Sequence, residues 1–181
     1  MIKPFFTRTG ISSSLFIALM IIAFSCGQKQ VEQEKKEVKG TRESLLEVNK
    51  NLVKTEEQKI EDFIQRYRWN MEETGSGLRY WIYHHGNGAK AEKGKTAEIR
   101  FTVSLLDGEV CYSSDEEGPK RFTIGKGGVE SGLEEGILLL KEGDRAKFII
   151  PSHLAFGLLG DMKKIPAKAV LVYDVELVKI N

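Results

Sequence analysis

Runs of alternating apolar and polar residues between positions 78 and 180 constrain the fold of this chain more than any other feature of its sequence. In the run "AEIRFTVSL" (97–105), the residues on one face are Ile99, Phe101, Val103 and Leu105. Asp107-Gly108 follows as a typical hairpin turn, so "EVCYSS" (109–114) is predicted to return as the partner strand. Strands are also predicted at "LRYWIYHH" (78–85), "RAKFIIP" (145–151) and "AVLVYDVELVKI" (169–180). Because side chains alternate between the faces of a strand, these runs indicate antiparallel strands around an apolar core.

One helix is predicted between these strands. Ser131 and Glu134 fit an S-x-x-E capping box at its start, and Gly143 is placed to end it. Its apolar stripe comprises Leu133, Ile137 and Leu140. Antiparallel strands with one short helix predict an α+β fold in which the helix covers one face of the sheet.

A helical extension is predicted ahead of the strands, at residues 41–76. An apolar stripe at 45–52 comes first, and Thr55 and Gln58 then fit a second capping box, which predicts a separate helix over residues 56–68. The apolar stripe of this second helix comprises Ile60, Phe63, Ile64 and Tyr67. Packing on the chain's own domain is the default expectation. A homodimer or a larger complex through helix 56–68 is the alternative.

The N-terminus has the pattern of an export signal. Lys3 and Arg8 precede an apolar run at 11–24, which is short for a bilayer core of about 30 Å but typical of a signal peptide. The run ends in "AFSC" and resembles a bacterial lipobox, although Ala23 stands where Leu is most common. This resemblance implies cleavage before Cys26 and lipid on that residue. An uncleaved anchor and a simple secretory signal are the alternatives.

The predicted organisation therefore has four parts. They are a lipoprotein signal peptide at 1–25, a lipidated flexible linker at 26–40, the helical extension at 41–76, and a folded domain at 77–181. The linker is predicted from its Gln, Glu and Lys residues, which offer almost nothing to bury. We expect a periplasmic protein that is lipid-anchored to a membrane, with the outer membrane favoured over the inner.

Several classes of function are excluded by charge and motif. The net charge is +1 and no basic cluster is present, which argues against nucleic-acid binding. His84 and His85 are neighbours in a predicted strand and point to opposite faces, so no metal site is expected there. The segment "AKAEKGKT" (89–96) resembles a phosphate-binding loop, but it lacks the first glycine and leads into a strand. We expect neither a metal nor a cofactor.

The chain has two cysteines, Cys26 and Cys111. If Cys26 carries lipid, Cys111 has no partner for a disulfide within the chain. No motif supplies a base to activate its thiol, so Cys111 is predicted to be a small buried apolar residue and not a reactive group.

Residues 95–181 resemble the FKBP family of peptidyl-prolyl isomerases. The matching motifs are "FTVSLLDG", "CYSS", "RFTIGKGGVESGLEEGILLLKEGDRAKFIIP", "HLAFG" and "IPAKAVLVYDVEL". The resemblance implies a twisted antiparallel sheet wrapped around the helix from Ser131. With the lipobox and the helical extension, the whole chain is similar to the gliding-motility-associated FKBP-type lipoproteins.

The resemblance also implies a pocket that binds an Xaa-Pro segment. The catalytic residues it implies are Phe101, Tyr112, Val129, Glu130, Phe156 and Tyr173. Further pocket residues are Cys111, Phe122, Leu133 and Ile165. In the family, a backbone N–H just before the helix donates to the substrate carbonyl, and here that N–H belongs to Glu130.

Five positions depart from the family pattern. Cys111 and Lys120 each stand where Phe is usual, Tyr112 replaces Asp, Leu133 replaces the Trp of the pocket floor, and Phe156 replaces a Tyr that donates a hydrogen bond. Tyr112 is a candidate to fill the space left at Leu133. Its hydroxyl, or that of Tyr173, is a candidate replacement for the lost donor.

Three functions remain open on this sequence. The first is a membrane-tethered prolyl isomerase that assists the folding of exported proteins through their Xaa-Pro segments. The second is a degenerate FKBP domain that binds unfolded protein with little catalysis. The third is a structural partner in a dimer or in a motility or secretion complex.

Overall fold

The computed structural model describes residues 44–181. The predicted signal peptide (1–25), the lipidation site Cys26 and the linker (26–40) lie outside the described residues. The chain divides between Leu52 and Val53, and Val53–Asn181 form one compact unit. Within the described part of the chain, no helix is both long enough and apolar enough to cross a membrane.

The first helix, α1, occupies residues 44–67. The prediction of a separate helix over residues 56–68, capped by Thr55, is wrong, because α1 continues through Thr55. The Gln58 side chain donates to Asp62 Oδ1 one turn further on (2.9 Å) and does not cap a helix. Glu, Gln and Lys dominate this stretch, and they favour an uninterrupted helix. Arg68, in the left-handed region at φ 54°, follows the last residue of α1.

The apolar stripe of α1 packs on the sheet of its own unit. Ile60 is fully buried and Phe63 nearly so, in a cluster that includes Ile149 and Val172. The rings of Phe63 and Trp69 meet edge to face, with centroids 5.3 Å apart. The default expectation for this stripe is therefore confirmed.

The strands form one seven-stranded antiparallel sheet. Its strands are β1 (Glu72–Glu73), β2 (Arg79–His84), β3 (Thr96–Leu105), β4 (Val110–Ser113), β5 (Lys120–Thr123), β6 (Arg145–Ile150) and β7 (Leu171–Ile180). The spatial order is β1-β2-β6-β7-β3-β4, and β5 pairs with the first residues of β3. The predicted hairpin at Asp107-Gly108 joins β3 to β4, and Leu105 N–H donates to Glu109 O across it (2.9 Å).

The predicted helix between the strands is α3 (Ser131–Ile137), which packs on the face of the sheet opposite to α1. Its Leu133 and Ile137 are fully buried. A Cβ atom on Gly136 would lie 2.8 Å from the ring of Phe148, closer than packed carbon atoms approach each other. Glycine at this position therefore sets how closely α3 approaches β6. The α+β, FKBP-like fold expected from the sequence is confirmed, with a helix on each face of the sheet.

The predicted ends of α3 are wrong. The N-cap is Glu130, and no side chain caps the helix. Ser131 Oγ donates to Leu154 O (3.1 Å), and Glu134 Oε1 accepts the Gly127 N–H (3.0 Å), so both side chains have tertiary partners. The helix ends at Ile137, while Gly143 lies in the turn before β6. Two short helices were not predicted, α2 (Ser114–Glu117) and a 3-10 turn at Ser152–Leu154.

Polar contacts also join α1 to the sheet. Arg79 of β2 is almost completely buried and pairs with Glu57 and, at 3.4 Å, with Glu61 of α1. The Glu56 carboxylate accepts hydrogen bonds from the Ser152 N–H and from Ser152 Oγ, both at 2.7 Å. These bonds connect α1 to the segment that directly follows β6.

Candidate active site

A cavity of about 230 Å³ collects side chains from four strands and from the loops around them. Its lining residues are Phe101, Val103, Tyr112, Glu117, Lys120, Glu130, Phe156, Asp161, Lys163 and Tyr173. Five of the six residues predicted to be catalytic are among them, namely Phe101, Tyr112, Glu130, Phe156 and Tyr173. The topology brings them together because β3 is paired with both β4 and β7.

The remaining predicted residues do not line this cavity. Cys111, Leu133, Phe122 and Ile165 are buried in the main core, and Val129 is half-buried against that core. Cys111 Sγ lies near two backbone oxygens, and burial raises the pKa of its thiol. The prediction of a small buried residue at Cys111 is confirmed.

Aromatic rings form one wall of the cavity. The rings of Phe101 and Tyr173 are 6.3 Å apart between centroids and tilted by 37°. Lys120 Nζ lies 5.3 Å from the centroid of the Phe101 ring, within the range of a cation–π interaction. Lys120 thus stands where the family usually has Phe, and its charged amino group lies over the ring of Phe101.

Glu130 contributes both a backbone donor and a carboxylate. Its N–H donates to no acceptor within residues 44–181. Its Oε1 accepts a hydrogen bond from the hydroxyl of Tyr173 at 3.0 Å. Burial, together with the negative charge of Glu130, raises the pKa of Tyr173 well above its ordinary value, so this phenol stays protonated and donates.

Asp161 organises the loop on the other side of the cavity. It accepts hydrogen bonds from the Tyr112 hydroxyl and from the N–H groups of Lys163 and Ile165. Burial alone would raise the pKa of Asp161, but these hydrogen bonds lower it below its ordinary value. The bond to Asp161 in turn raises the pKa of Tyr112. The family usually has Asp at the position of Tyr112. In this chain, Asp161 of the loop places a carboxylate beside that tyrosine instead.

The hydroxyl groups suggested as replacement donors are both engaged within the chain. Tyr112 donates to Asp161 and Tyr173 donates to Glu130. Since a phenol has one hydrogen to donate, neither hydroxyl is free to meet a substrate carbonyl in this arrangement. The hypothesis of a replacement hydroxyl donor stays a prediction, and the backbone N–H of Glu130 is the unengaged donor in this arrangement.

Comparison with known proteins identifies the family. The family model described as FKBP-type peptidyl-prolyl cis-trans isomerase matches residues 87–178, more than half of the chain. The chain belongs to this family. Residues 87–178 are its FKBP domain, and the cavity described above lies within them.

Relatives and a solved structure extend the similarity. The chain is 37% identical over 139 residues to the probable FKBP-type peptidyl-prolyl cis-trans isomerase FkpA of Neisseria meningitidis serogroup B, over 75% of this chain and 50% of the relative. It is 42% identical over 93 residues to FK506-binding protein 2 of Yarrowia lipolytica, over 51% of this chain and 65% of that protein. The crystal structure of FkpA from Escherichia coli superposes with a TM-score of 0.63 at 26% identity, covering 96% of this chain and 75% of that one. The chain thus spans only about half to two thirds of the length of these two curated relatives.

Four lining residues of the FKBP domain were not assigned to the pocket by the sequence analysis, and Lys120 was noted only as a departure. Val103 lies two residues after Phe101 on the same face of β3, so the period of the strand could have identified it. Glu117, Asp161 and Lys163 lie in α2 and in a loop, where no periodic pattern indicates which side chains face a cavity.

Proposed function

We propose that the FKBP domain catalyses cis–trans isomerisation of Xaa-Pro bonds in exported proteins. The observation that carries this proposal is the cavity itself, where Phe101, Phe156 and Tyr173 stand beside the unengaged N–H of Glu130. Family membership supports the same activity.

The reaction is rotation about an amide bond, with a barrier of about 18–20 kcal/mol that arises from resonance. No covalent bond is broken. Water stabilises the polar planar amide. Apolar walls at Phe101 and Phe156 exclude water, so they favour the twisted amide. The Glu130 N–H donates to the substrate carbonyl, and donors fixed in advance stabilise a transition state without further reorganisation. The chain's own groups suffice for this chemistry.

The altered pocket leads us to propose slow turnover of short peptides. Leu133 takes the position of the usual Trp, and Phe156 carries no hydroxyl. Glu130, Lys120 and Asp161 place charged side chains in the lining of the cavity. Binding of a short apolar peptide is weakened by these changes, whereas a long client gains contacts outside the pocket.

The test uses the full chain in a mild non-ionic detergent, with a short Xaa-Pro peptide and with the proline-limited refolding of a whole protein. We expect acceleration of both, and its loss in Phe156→Ala. Val110→Ala is the matched control, because Val110 is exposed and lies outside the cavity. No acceleration of either substrate by a folded chain would refute isomerase function.

A second candidate function is the binding of unfolded protein. The loop that carries Phe156, Asp161 and Lys163 also exposes Leu158, Leu159 and Met162, each at least 73% accessible. These apolar side chains stand next to the cavity and fit the apolar segments of an unfolded client. Suppression of client aggregation that persists in Phe156→Ala but is lost in Leu158→Ser would favour this function over catalysis.

Membrane attachment is part of the proposal. The lipobox-like sequence at Cys26 supports a lipid anchor, periplasmic location and placement at the outer membrane, and the net charge of +1 argues against nucleic acid as a partner. Incorporation of labelled palmitate that is lost in Cys26→Ser tests the anchor. Loss of gliding after deletion, restored by the wild-type chain, tests a motility role.

A complex through α1 is the remaining proposal. The part of this helix around Ile60 and Phe63 is covered by the chain's own domain, but Leu45, Leu46 and Val53 are exposed. These side chains support contact with a second copy or with a larger complex. A monomeric mass in solution, unchanged by Leu46→Glu, would argue against a dimer.

A further inference from the structure

Glu130 places a carboxylate inside the cavity of the FKBP domain. Its backbone is extended (φ −60°, ψ 142°) directly before α3, and its side chain reaches Tyr173, whose hydroxyl donates to Oε1 at 3.0 Å. The second carboxylate oxygen, Oε2, is buried and accepts no hydrogen bond. Among the side chains of residues 44–181, Oε2 is the only buried oxygen or nitrogen without a partner.

No basic side chain of the described residues neutralises this carboxylate. Lys120 and Lys163 also line the cavity, but neither forms an ion pair with Glu130, and Lys120 Nζ lies over the ring of Phe101. The hydroxyl hydrogen of Tyr173 is already used on Oε1. Asp161, the half-buried carboxylate on the other side of the cavity, differs because it accepts three hydrogen bonds from within the chain.

A buried carboxylate oxygen without a donor is unfavourable, and a bound ligand that supplies the donor removes that penalty. A positively charged donor adds the attraction of opposite charges to the hydrogen bond with a carboxylate. An acidic side chain in the same place would be repelled. The cavity is therefore suited to a cationic side chain on the bound polypeptide.

We propose that this pocket prefers Xaa-Pro segments in which the residue before the proline is Lys or Arg. The proposal rests on the proposed function, in which the Glu130 N–H binds a carbonyl of the Xaa-Pro segment. Such a carbonyl lies within one residue of Xaa, and a Lys or Arg side chain at Xaa is long enough to approach the Glu130 carboxylate. Glu130 thus binds the main chain through its N–H and selects the side chain through its carboxylate.

The test compares Ala-Xaa-Pro-Phe peptides with Lys, Arg, Leu or Glu at Xaa, using the full chain in a mild non-ionic detergent. Both kcat/KM for isomerisation and the Kd of labelled peptides are measured. We expect Lys and Arg to exceed Leu by about tenfold in kcat/KM and in affinity, and Glu to fall below Leu.

Two Glu→Gln variants separate a specific contact from a general effect of charge. Glu130→Gln removes the charge that selects for a cation, so we expect its Lys-to-Leu ratio to approach one. Glu134→Gln removes the same charge from α3, but Glu134 accepts the Gly127 N–H and does not line the cavity, so the preference should persist.

Equal values for Lys and Leu with the wild-type chain, or a ratio that survives Glu130→Gln, would overturn the proposal. Glu130→Asp serves if Glu130→Gln does not fold, because it keeps the charge but withdraws the carboxylate by one carbon. An unchanged ratio in Glu130→Asp also overturns the proposal. If no peptide is isomerised, the isomerase function fails, and the Kd values alone decide the preference.

Discussion

Replacing Ile60 by Ala tests whether α1 is part of the folded domain or an appendage to it. Ile60 is fully buried against the sheet, in the cluster that contains Ile149 and Val172. The substitution removes three buried carbon groups, at about 0.8 kcal/mol each, and leaves a cavity that costs more. We expect the free energy of unfolding to fall by about 3–4 kcal/mol. For a unit of this size, the melting temperature should fall by roughly 10 °C or more.

The assay is urea unfolding followed both by circular dichroism and by tryptophan fluorescence. The two signals should shift together, since α1 and the sheet share one core. Val53→Ala is the matched control on the same helix, because Val53 is 66% exposed and its loss should change stability by no more than about 0.5 kcal/mol. A shift below 1 kcal/mol for Ile60→Ala, or a helical signal that melts separately, would refute the reasoning.

Three further predictions follow from the packing and the charges of the domain. Gly136→Ala should lower the free energy of unfolding by about 1–3 kcal/mol, measured as a urea midpoint, because the new Cβ would overlap the Phe148 ring. The folded domain lowers the pKa of Asp161, so the ionised carboxylate stabilises the fold at pH values above the unfolded-state pKa of about 4. This stability is lost as the pH falls below that value. Urea midpoints at pH 7 and pH 3 should therefore differ more for the wild type than for Asp161→Asn. Macrolide immunosuppressants such as FK506 should bind weakly, because Glu130 and Lys120 place charges in the cavity, and nanomolar affinity in a titration would contradict this.

The strands and the helix order could be predicted because periodicity reports directly on burial. The alternation through Phe101 and Val103 places them on the inner face of β3, and the Asp107-Gly108 turn fixes their partner strand. The stripe with Ile60 likewise predicted a buried helix face. In each case the pattern depends on a local period and not on which distant residues meet.

The helix caps and the polar part of the cavity depend on tertiary partners, which sequence spacing does not report. Ser131 and Glu134 have the right spacing for a capping box, yet each forms a hydrogen bond elsewhere, to Leu154 O and from Gly127 N. Asp161 comes from a loop without a period. Its role is apparent only when its bond to Tyr112, 49 positions away in sequence, is seen.

The paired hydrogen bonds between Glu56 and Ser152 have a mechanical consequence. Ser152 stands four residues before Phe156, so α1 is attached directly to the segment that carries a wall of the cavity. Tension applied to α1 is therefore transmitted through Glu56 and Ser152 to the segment that carries Phe156. A pull on α1 is expected to act on the wall of the binding site as well as on the sheet, to which Arg79 also connects α1.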